Sequence, residues 1–220
     1  MLMSVRCFWL EPVGKARLTL RRYGGDGCPS NKGGYHNAEI ALFDVERIKV
    51  PAVSGSREWA YQDGAPRTFE DVEARRVAGE PIPAWPTHCA CGFAFETSGG
   101  QVFSDGLYRR TDTGEIRGLR EWDHVPGAMW NAEWLADHPF YRGPDGRSIH
   151  VVCPDGRSWC IDGPASNCTK PEDSAHKCWV RHGEPPALTV DKNGLTCAAG
   201  AGSIQTPGNY HGFLQNGEFT

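Results

Sequence analysis

The sequence predicts a β-rich α+β fold with short strands, a β-meander, about two short helices, many loops and zinc crosslinks. The 220 residues include 27 glycines and 16 prolines, well above the usual combined share of roughly 12%. Hydrophobic residues make up only 39%, so metal crosslinks would stabilise such a chain where helix packing could not. Nine cysteines and eight histidines are more than packing alone needs, and many of them lie in three short segments.

We expect the chain to form one compact domain, residues 1–220, because this length is enough for a hydrophobic core. The composition also allows a subdivision into an N-terminal β-rich part, residues 1–80, and a zinc-binding part, residues 81–220. In the first part, residues 5–10 and 16–22 are predicted strands, joined by a turn where Pro-Val-Gly occupies positions 12–14.

A β-meander is predicted from an internal repeat. The sequence Pro-Asp-Gly-Arg-Ser occurs at 144–148 and again at 154–158. Because Pro presets φ and Gly accepts a positive φ, each copy predicts a tight turn. The strand between the two turns is predicted at 149–153, and the returning strand at 158–162.

Two helices are predicted. The first covers 68–77, because Thr68 is a good N-cap, Glu70 and Asp71 suit the first turn, and Gly79 can end the helix. The second covers 127–136.

The second helix is predicted from the helical spacing of Met129, Trp130 and Trp134. Pro139 would end it.

The clearest metal-binding motif is Cys89-Ala90-Cys91-Gly92. A Cys-x-Cys-Gly turn can direct both sulfurs at one cation, and Gly92 would let backbone N–H groups approach the thiolates. His88 is a weaker candidate, because adjacent residues rarely both bind one metal. The alternative is a pair of buried cysteines on one face of a strand.

A second group of candidate ligands contains Cys168, Cys178 and His182. Cys-x3-His is a common ligand pair, which one helical turn or a loop can supply. His176 competes for the same role, and a Cys168–Cys178 thiol pair or plain packing are the alternatives.

Cys197 and His211 enclose a run of small residues and could complete either group. The other cysteines are interpreted as buried thiols: Cys7, Cys28, Cys153 and Cys160.

Charge and hydropathy give few indications of a partner. The net charge of -4 does not favour a polyanionic partner, so nucleic acid is not expected. No stretch approaches the ~20 apolar residues that span a bilayer, and the N-terminus lacks the apolar run of a signal peptide. We therefore expect a reduced compartment, where Cys-x-Cys indicates metal before disulfide.

Catalytic motifs are missing. The sequence contains no His-Glu-x-x-His, Gly-x-Ser-x-Gly, P-loop or cytidine-deaminase signature. No nucleophile or general base stands out, so an enzyme is less expected than a non-enzyme.

Several long segments together resemble a protein family of tailed phages that infect actinobacteria, and the match spans nearly the whole chain. The segments are 85–93, 127–130, 165–183, 190–204 and 210–214. The family brings no biochemical function with it.

The Cys-x-Cys-Gly turn and the closing Ser-Ile…His-x-Phe-Leu element are also similar to a wider bacterial family of small zinc-binding domains. This resemblance implies Cys89, Cys91 and His211 as ligands. That family often has a further Cys just before the last His, where this chain has Asn209. Cys197 or a residue of the second group must then supply the fourth ligand. We favour Cys197, and the second group is a candidate for a second Zn²⁺.

From these features we expect a non-catalytic, zinc-stabilised phage accessory protein that binds a host or phage protein in the cytoplasm of the bacterial host. The alternatives are a virion component (minor capsid, decoration or tail-associated protein) and a metal-dependent hydrolase. Trp9, Trp59 and Trp122 are candidates for an exposed protein-binding patch, since Trp is favoured at interface hot spots.

Overall fold

The computed structural model describes residues 4–24, 36–49, 59–61, 64–95, 100–192, 197, 202–208 and 210–220. Within these residues the chain is β-rich, with short strands, short helices and many loops, so the predicted fold class is confirmed. In chain order the elements are β1 (Val5–Arg6), β2 (Phe8–Gly24), β3 (His36–Lys49), β4 (Trp59–Tyr61), α1 (Phe69–Val77), β5 (Gln101–Arg110), β6 (Ile116–Gly118), α2 (Leu119–Trp122), β7 (Ala128–Asn131), α3 (Glu133–Ala136), β8 (Ile149–Val152), β9 (Ser158–Cys160), β10 (Trp179–His182), β11 (Thr189–Lys192), β12 (Ile204–Gln205), β13 (His211–Gly212), β14 (Leu214–Gln215) and β15 (Glu218–Phe219).

The chain forms two compact units. The terminal unit contains Met1–Val13 and Tyr108–Thr220, and the middle unit contains Gly14–Leu107. The chain passes from one unit to the other within β2 and within β5.

The middle unit is built on a long antiparallel pair. Strand β2 pairs with β3 from Lys15↔Glu46 to Gly24↔His36, and β3 pairs with β4. Ala16, Leu18 and Leu20 are buried at alternate positions of β2, on one face of the strand. Thr19 and Arg21 are buried too, so both faces are covered in this part of β2. The predicted turn at 12–14 is wrong, because β2 continues through it and Gly14 takes a positive φ of 73° within the strand.

Helix α1 is confirmed, and hydrogen bonds at its N-terminus explain why it begins where the sequence predicts. Thr68 Oγ1 accepts a hydrogen bond from the Asp71 N–H (3.1 Å), and Asp71 Oδ2 accepts one from the Thr68 N–H (2.9 Å). This reciprocal capping box satisfies two donors that a helix start leaves unpaired. Backbone hydrogen bonds from Arg67 and Thr68 also lower the pKa of Asp71. Val72 anchors the helix as its buried side chain.

In the terminal unit, β7 lies between two neighbours. It pairs in parallel with the Phe8 and Trp9 end of β2 and antiparallel with β8. Three smaller sheets join β1 with β15 and β14, β10 with β11, and β12 with β13. The largest core cluster includes the fully buried side chains of Met129, Ile149 and Leu188.

The predicted helix at 127–136 is largely wrong, because residues 128–131 form strand β7 and only Glu133–Ala136 is helical. Ala128, Met129 and Trp130 are consecutive and all buried. A strand that is buried on both faces shows a continuous apolar run, which periodicity alone cannot distinguish from a buried helix.

The predicted meander is confirmed. Strands β8 and β9 pair antiparallel, with Val151 opposite Trp159. Gly146 and Gly156 of the two repeats have φ values of 80° and 78°, the positive φ that their turns require.

The predicted aromatic patch is not supported at Trp122. This side chain is 1% exposed, donates its indole N–H to the Tyr108 carbonyl (3.2 Å) and packs against Phe8. Trp9 is partly buried against the core, and the Trp59 side chain lies outside the described part of the chain. In the described residues, no helix has the length and hydropathy needed to cross a membrane.

Candidate metal centre

Strands β10 and β11 form a hairpin whose open end places two cysteines together. Trp179 at the start of β10 pairs with Lys192 at the end of β11. Cys178 immediately precedes β10, and Cys197 follows shortly after β11. Their Sγ atoms are 3.8 Å apart.

The loop before β10 supplies two more candidate metal ligands. Its turn at Asp173 is fixed by hydrogen bonds from the Ala175 N–H (3.0 Å) and the His176 N–H (3.3 Å) to Asp173 Oδ1. Local side-chain acceptors of this kind are typical of Asx turns. The turn orients His176, whose Nε2 lies 3.7 Å from Cys178 Sγ. Cys168, earlier in the same loop, completes the set.

Cys168, His176, Cys178 and Cys197, here called the Cys3His group, have ligand atoms that all lie within 4.8 Å of one another. In a tetrahedral site with metal–sulfur bonds of about 2.3 Å, two sulfurs are about 3.8 Å apart and a sulfur and a nitrogen about 3.6 Å. The observed distances of 3.8 Å and 3.7 Å agree with these values. The Cys3His group could therefore hold a metal ion.

Backbone N–H groups support two of the sulfurs. The Ala165 N–H donates to Cys178 Sγ and the Lys170 N–H to Cys168 Sγ, each at 3.3 Å. Such donors stabilise negative charge on sulfur and orient the ligands, as outer-shell contacts do around metal ions.

Burial makes the charge state of Cys178 depend on a cation. The residue is only 3% exposed, and burial raises the pKa of its thiol to about 12, with further increases from Cys168 and Cys197 against the lowering effect of the Ala165 N–H. A thiol in this environment stays protonated without a cation. A bound metal would displace that proton, because the thiolate is the ligand.

The alternative interpretation of this segment is a Cys168–Cys178 thiol pair. Both residues are free cysteines, and they lie in one group with His176 and Cys197.

His182, predicted as a ligand with Cys168 and Cys178, is not in the group. It is exposed at the other end of β10, where it pairs with Thr189. Four residues of a helix would have brought it back to Cys178, but four residues of a strand extend roughly 13 Å. His176 takes its place.

Cys89 and Cys91 form the predicted tight turn within the middle unit. The Cys89 N–H donates to the Phe93 carbonyl (2.8 Å), the Gly92 N–H donates to the Cys89 carbonyl (2.9 Å), and Gly92 has a φ of 84°. Cys89 is buried and Cys91 is exposed. Within the described residues, neither belongs to a group of three or more metal-ligating side chains.

Cys197 and His211, which are predicted to bind metal together with Cys89 and Cys91, lie in the terminal unit. Cys197 belongs to the Cys3His group, and His211 on β13 is exposed with its Nε2 3.0 Å from Ser203 Oγ. Cys89 and Cys91 belong to the middle unit, and Cys197 and His211 to the terminal unit, so the four-residue site stays a prediction.

Cys7 and Cys153 are buried thiols, as interpreted from the sequence, and burial raises the pKa of each to about 12. Cys160 is half-buried, and Cys28 lies outside the described residues.

No protein-family model, curated protein or solved structure matches the chain. The fold and the Cys3His group define a β-rich protein with a candidate metal centre.

Proposed function

We propose that the Cys3His group binds one structural Zn²⁺ and that the protein is a non-catalytic, zinc-stabilised binding protein, with a host or phage protein as its partner. The observation that supports this most is the convergence of three sulfurs and one imidazole nitrogen within 4.8 Å. Soft thiolate ligands with imidazole in a tetrahedral arrangement favour Zn²⁺ over the hard cations Mg²⁺ and Ca²⁺.

A structural role follows from the number of protein ligands. Four protein donors fill a tetrahedral coordination shell, whereas catalytic zinc keeps one position for water or substrate. The Cys3His group therefore supports a closed site, and a metal-dependent hydrolase is disfavoured.

The site would join a long loop to the β10–β11 hairpin. Cys168 and His176 lie in a long loop without strands or helices, and Cys178 and Cys197 flank the β10–β11 hairpin. Structural zinc in small domains contributes on the order of 10 kcal/mol. Metal binding would thus fix this loop against the hairpin.

The binding surface is proposed around Trp134 on α3. Its side chain is 49% exposed, while the predicted Trp122 is buried. Large aromatic side chains dominate interface energetics when a partner covers them. Resemblance to the phage family suggests that the partner is a host or phage protein.

Metal content tests the zinc site. We expect one Zn²⁺ per chain in the purified protein by elemental analysis and native mass spectrometry. Cys178→Ser and His176→Gln should each lower this stoichiometry. The matched controls Cys160→Ser and His182→Gln should leave it unchanged. Equal loss in His176→Gln and His182→Gln would contradict the assignment.

Cys91→Ser tests the other predicted zinc site independently. Loss of a second Zn²⁺ in this variant would show that the Cys-x-Cys-Gly turn also binds metal.

An affinity pull-down from infected cells tests the binding function. We expect the wild-type protein to retain a specific partner that Trp134→Ala loses, with both proteins loaded with zinc. Zinc-dependent turnover of a phosphoester, peptide or nucleotide would instead establish the hydrolase. Stoichiometric copies in purified virions would establish the virion component.

A further inference from the structure

A pocket of about 510 Å³ lies beside the Cys3His group in the terminal unit. Its volume is in the range of small-molecule sites, which are roughly 300–1,000 Å³. One wall comes from the loop residues around His176, a second from β10, and a third from residues 139–144.

The floor of the pocket is a buried ion pair. The Arg181 and Asp162 side chains are 6% and 5% exposed, and Arg181 Nε donates to Asp162 Oδ1 at 2.9 Å. Asp145 accepts further hydrogen bonds from the same guanidinium. Asp145 also pairs with Arg147, so two carboxylates face two guanidinium groups and the charge of Arg181 is balanced.

Two cations at the pocket wall are held differently. Arg142 Nε donates to the Ala136 carbonyl (2.7 Å), and Lys177 Nζ donates to the Pro139 and Phe140 carbonyls (2.9 and 3.1 Å). These carbonyl contacts fix the two side chains. Asp162 also interacts electrostatically with Lys177, whereas a second Arg142 nitrogen donates to another carbonyl, that of Asp137 (3.3 Å). Positioned cations of this kind bind carboxylates and phosphates.

Apolar surface makes up the rest of the lining. Trp179, Pro139 and Pro144 line the pocket. The Trp179 ring is held edge-on against Trp159, with centroids 5.2 Å apart. An aromatic side chain fixed in this way offers a preformed surface to a flat apolar group.

We propose that this pocket binds a small organic anion that carries an apolar, planar body. The anionic group would lie at Arg142, and the apolar body against Trp179 and the two prolines. The proposal does not depend on the identity of the metal or on a protein partner.

Three probes test the proposal on the full-length, zinc-loaded chain. They are 2-naphthoate, the neutral 2-naphthamide of the same shape, and acetate, which has the charge without the ring. Dissociation constants are measured by two-dimensional NMR from shifts of the backbone amides of Ala175, Val180 and Arg181. Hydrogen bonds to a charged group favour the anion by about tenfold or more, so we expect 2-naphthoate to bind about tenfold more tightly than 2-naphthamide and far more tightly than acetate.

Variants locate the charge that recognises the anion. Arg142→Gln should remove the preference for 2-naphthoate over 2-naphthamide, while Arg142→Lys should keep most of it. Arg120→Gln removes a cation from α2 in the same unit and should change neither affinity.

Three results would overturn the proposal. They are equal affinity of the wild-type protein for the two naphthalene probes, shifts that do not map to the pocket at millimolar probe, and an unchanged preference in folded Arg142→Gln. The comparison of probes on the wild-type protein decides the matter even where Arg142→Gln fails to fold.

Discussion

Removing the Asp162 carboxylate should destabilise the terminal unit far more than removing Asp145, although both pair with Arg181. Asp162 is 5% exposed and accepts hydrogen bonds from Arg181 Nε (2.9 Å) and from the Ile149 N–H (2.8 Å). Asp145 is 32% exposed, so water can replace much of what it provides.

The magnitude follows from burial. Breaking a buried ion pair costs about 3–5 kcal/mol, but in Asp162→Ala the Arg181 side chain keeps Asp145. The variant also leaves the Ile149 N–H without its acceptor, a cost of about 1–3 kcal/mol. We therefore expect Asp162→Ala to lower the free energy of unfolding by about 4 kcal/mol, and Asp145→Ala by about 1 kcal/mol.

Urea and thermal unfolding of the zinc-loaded proteins measure this difference. For a chain of this size, about 4 kcal/mol corresponds to a Tm lower by roughly 10 °C, against roughly 3 °C for about 1 kcal/mol. Equal effects of the two variants, or a loss below about 1 kcal/mol for Asp162→Ala, would refute the reasoning that the Arg181–Asp162 pair is buried and structurally essential.

Three further predictions concern pH, the metal and the first helix. Burial alone would raise the pKa of Asp145, but hydrogen bonds from Arg181 and Arg147 outweigh burial and hold the pKa well below its usual range. The pKa of an unfolded Asp is about 3.9. The stabilisation by ionised Asp145 is therefore present above about pH 4 and is lost as the pH falls further. The unfolding free energy of Asp145→Asn, measured from pH 6 to pH 2, should accordingly fall less steeply below about pH 4 than that of the wild-type protein, and an identical slope would contradict this. Chelation of the metal should weaken 2-naphthoate binding in the NMR titration. If the loop around His176 keeps its shape in about a tenth of the metal-free molecules, the affinity falls about tenfold. Unchanged affinity would show that this wall of the pocket does not depend on the metal. Thr68→Ala should destabilise α1 by about 1 kcal/mol through loss of its capping hydrogen bond. Hydrogen exchange should show this as a faster rate at the Val72 amide than in the wild-type protein, and equal rates would exclude a stabilising cap.

The elements that local chemistry determines could be predicted from the sequence. The capping box of Thr68 and Asp71 satisfies its own donors, so α1 was predicted correctly. The Pro-Asp-Gly turns predicted the β8–β9 meander for the same reason, because each turn requires particular φ values at particular residues. The tight turn at Cys89–Gly92 also follows from local residues.

Elements that depend on distant packing could not be predicted in this way. Strand β7 shows a continuous apolar run because both of its faces are buried, and this pattern also fits a helix. Trp122 is buried by Phe8, which is distant in the sequence. No local sequence pattern predicts such a contact.

The candidate metal centre was predicted in part. The spacing groups Cys168 with Cys178, and it allows Cys197 to complete either group, with the Cys89 and Cys91 turn favoured. The choice between His176 and His182 depended on whether the chain after Cys178 forms a helix or a strand, because a strand carries His182 away. The β10–β11 pairing places the end of β11 beside the start of β10 and so brings Cys197 towards Cys178. The spacing of cysteines does not reveal this pairing.

X-ray absorption at the zinc edge tests the central proposal most directly, because it measures the ligand atoms themselves in the purified, zinc-loaded protein. The Cys3His group predicts three sulfurs at about 2.3 Å and one nitrogen at about 2.0–2.1 Å, without a bound water. A shell with two or fewer sulfurs, or one that includes a water oxygen, would contradict the closed site of Cys168, His176, Cys178 and Cys197.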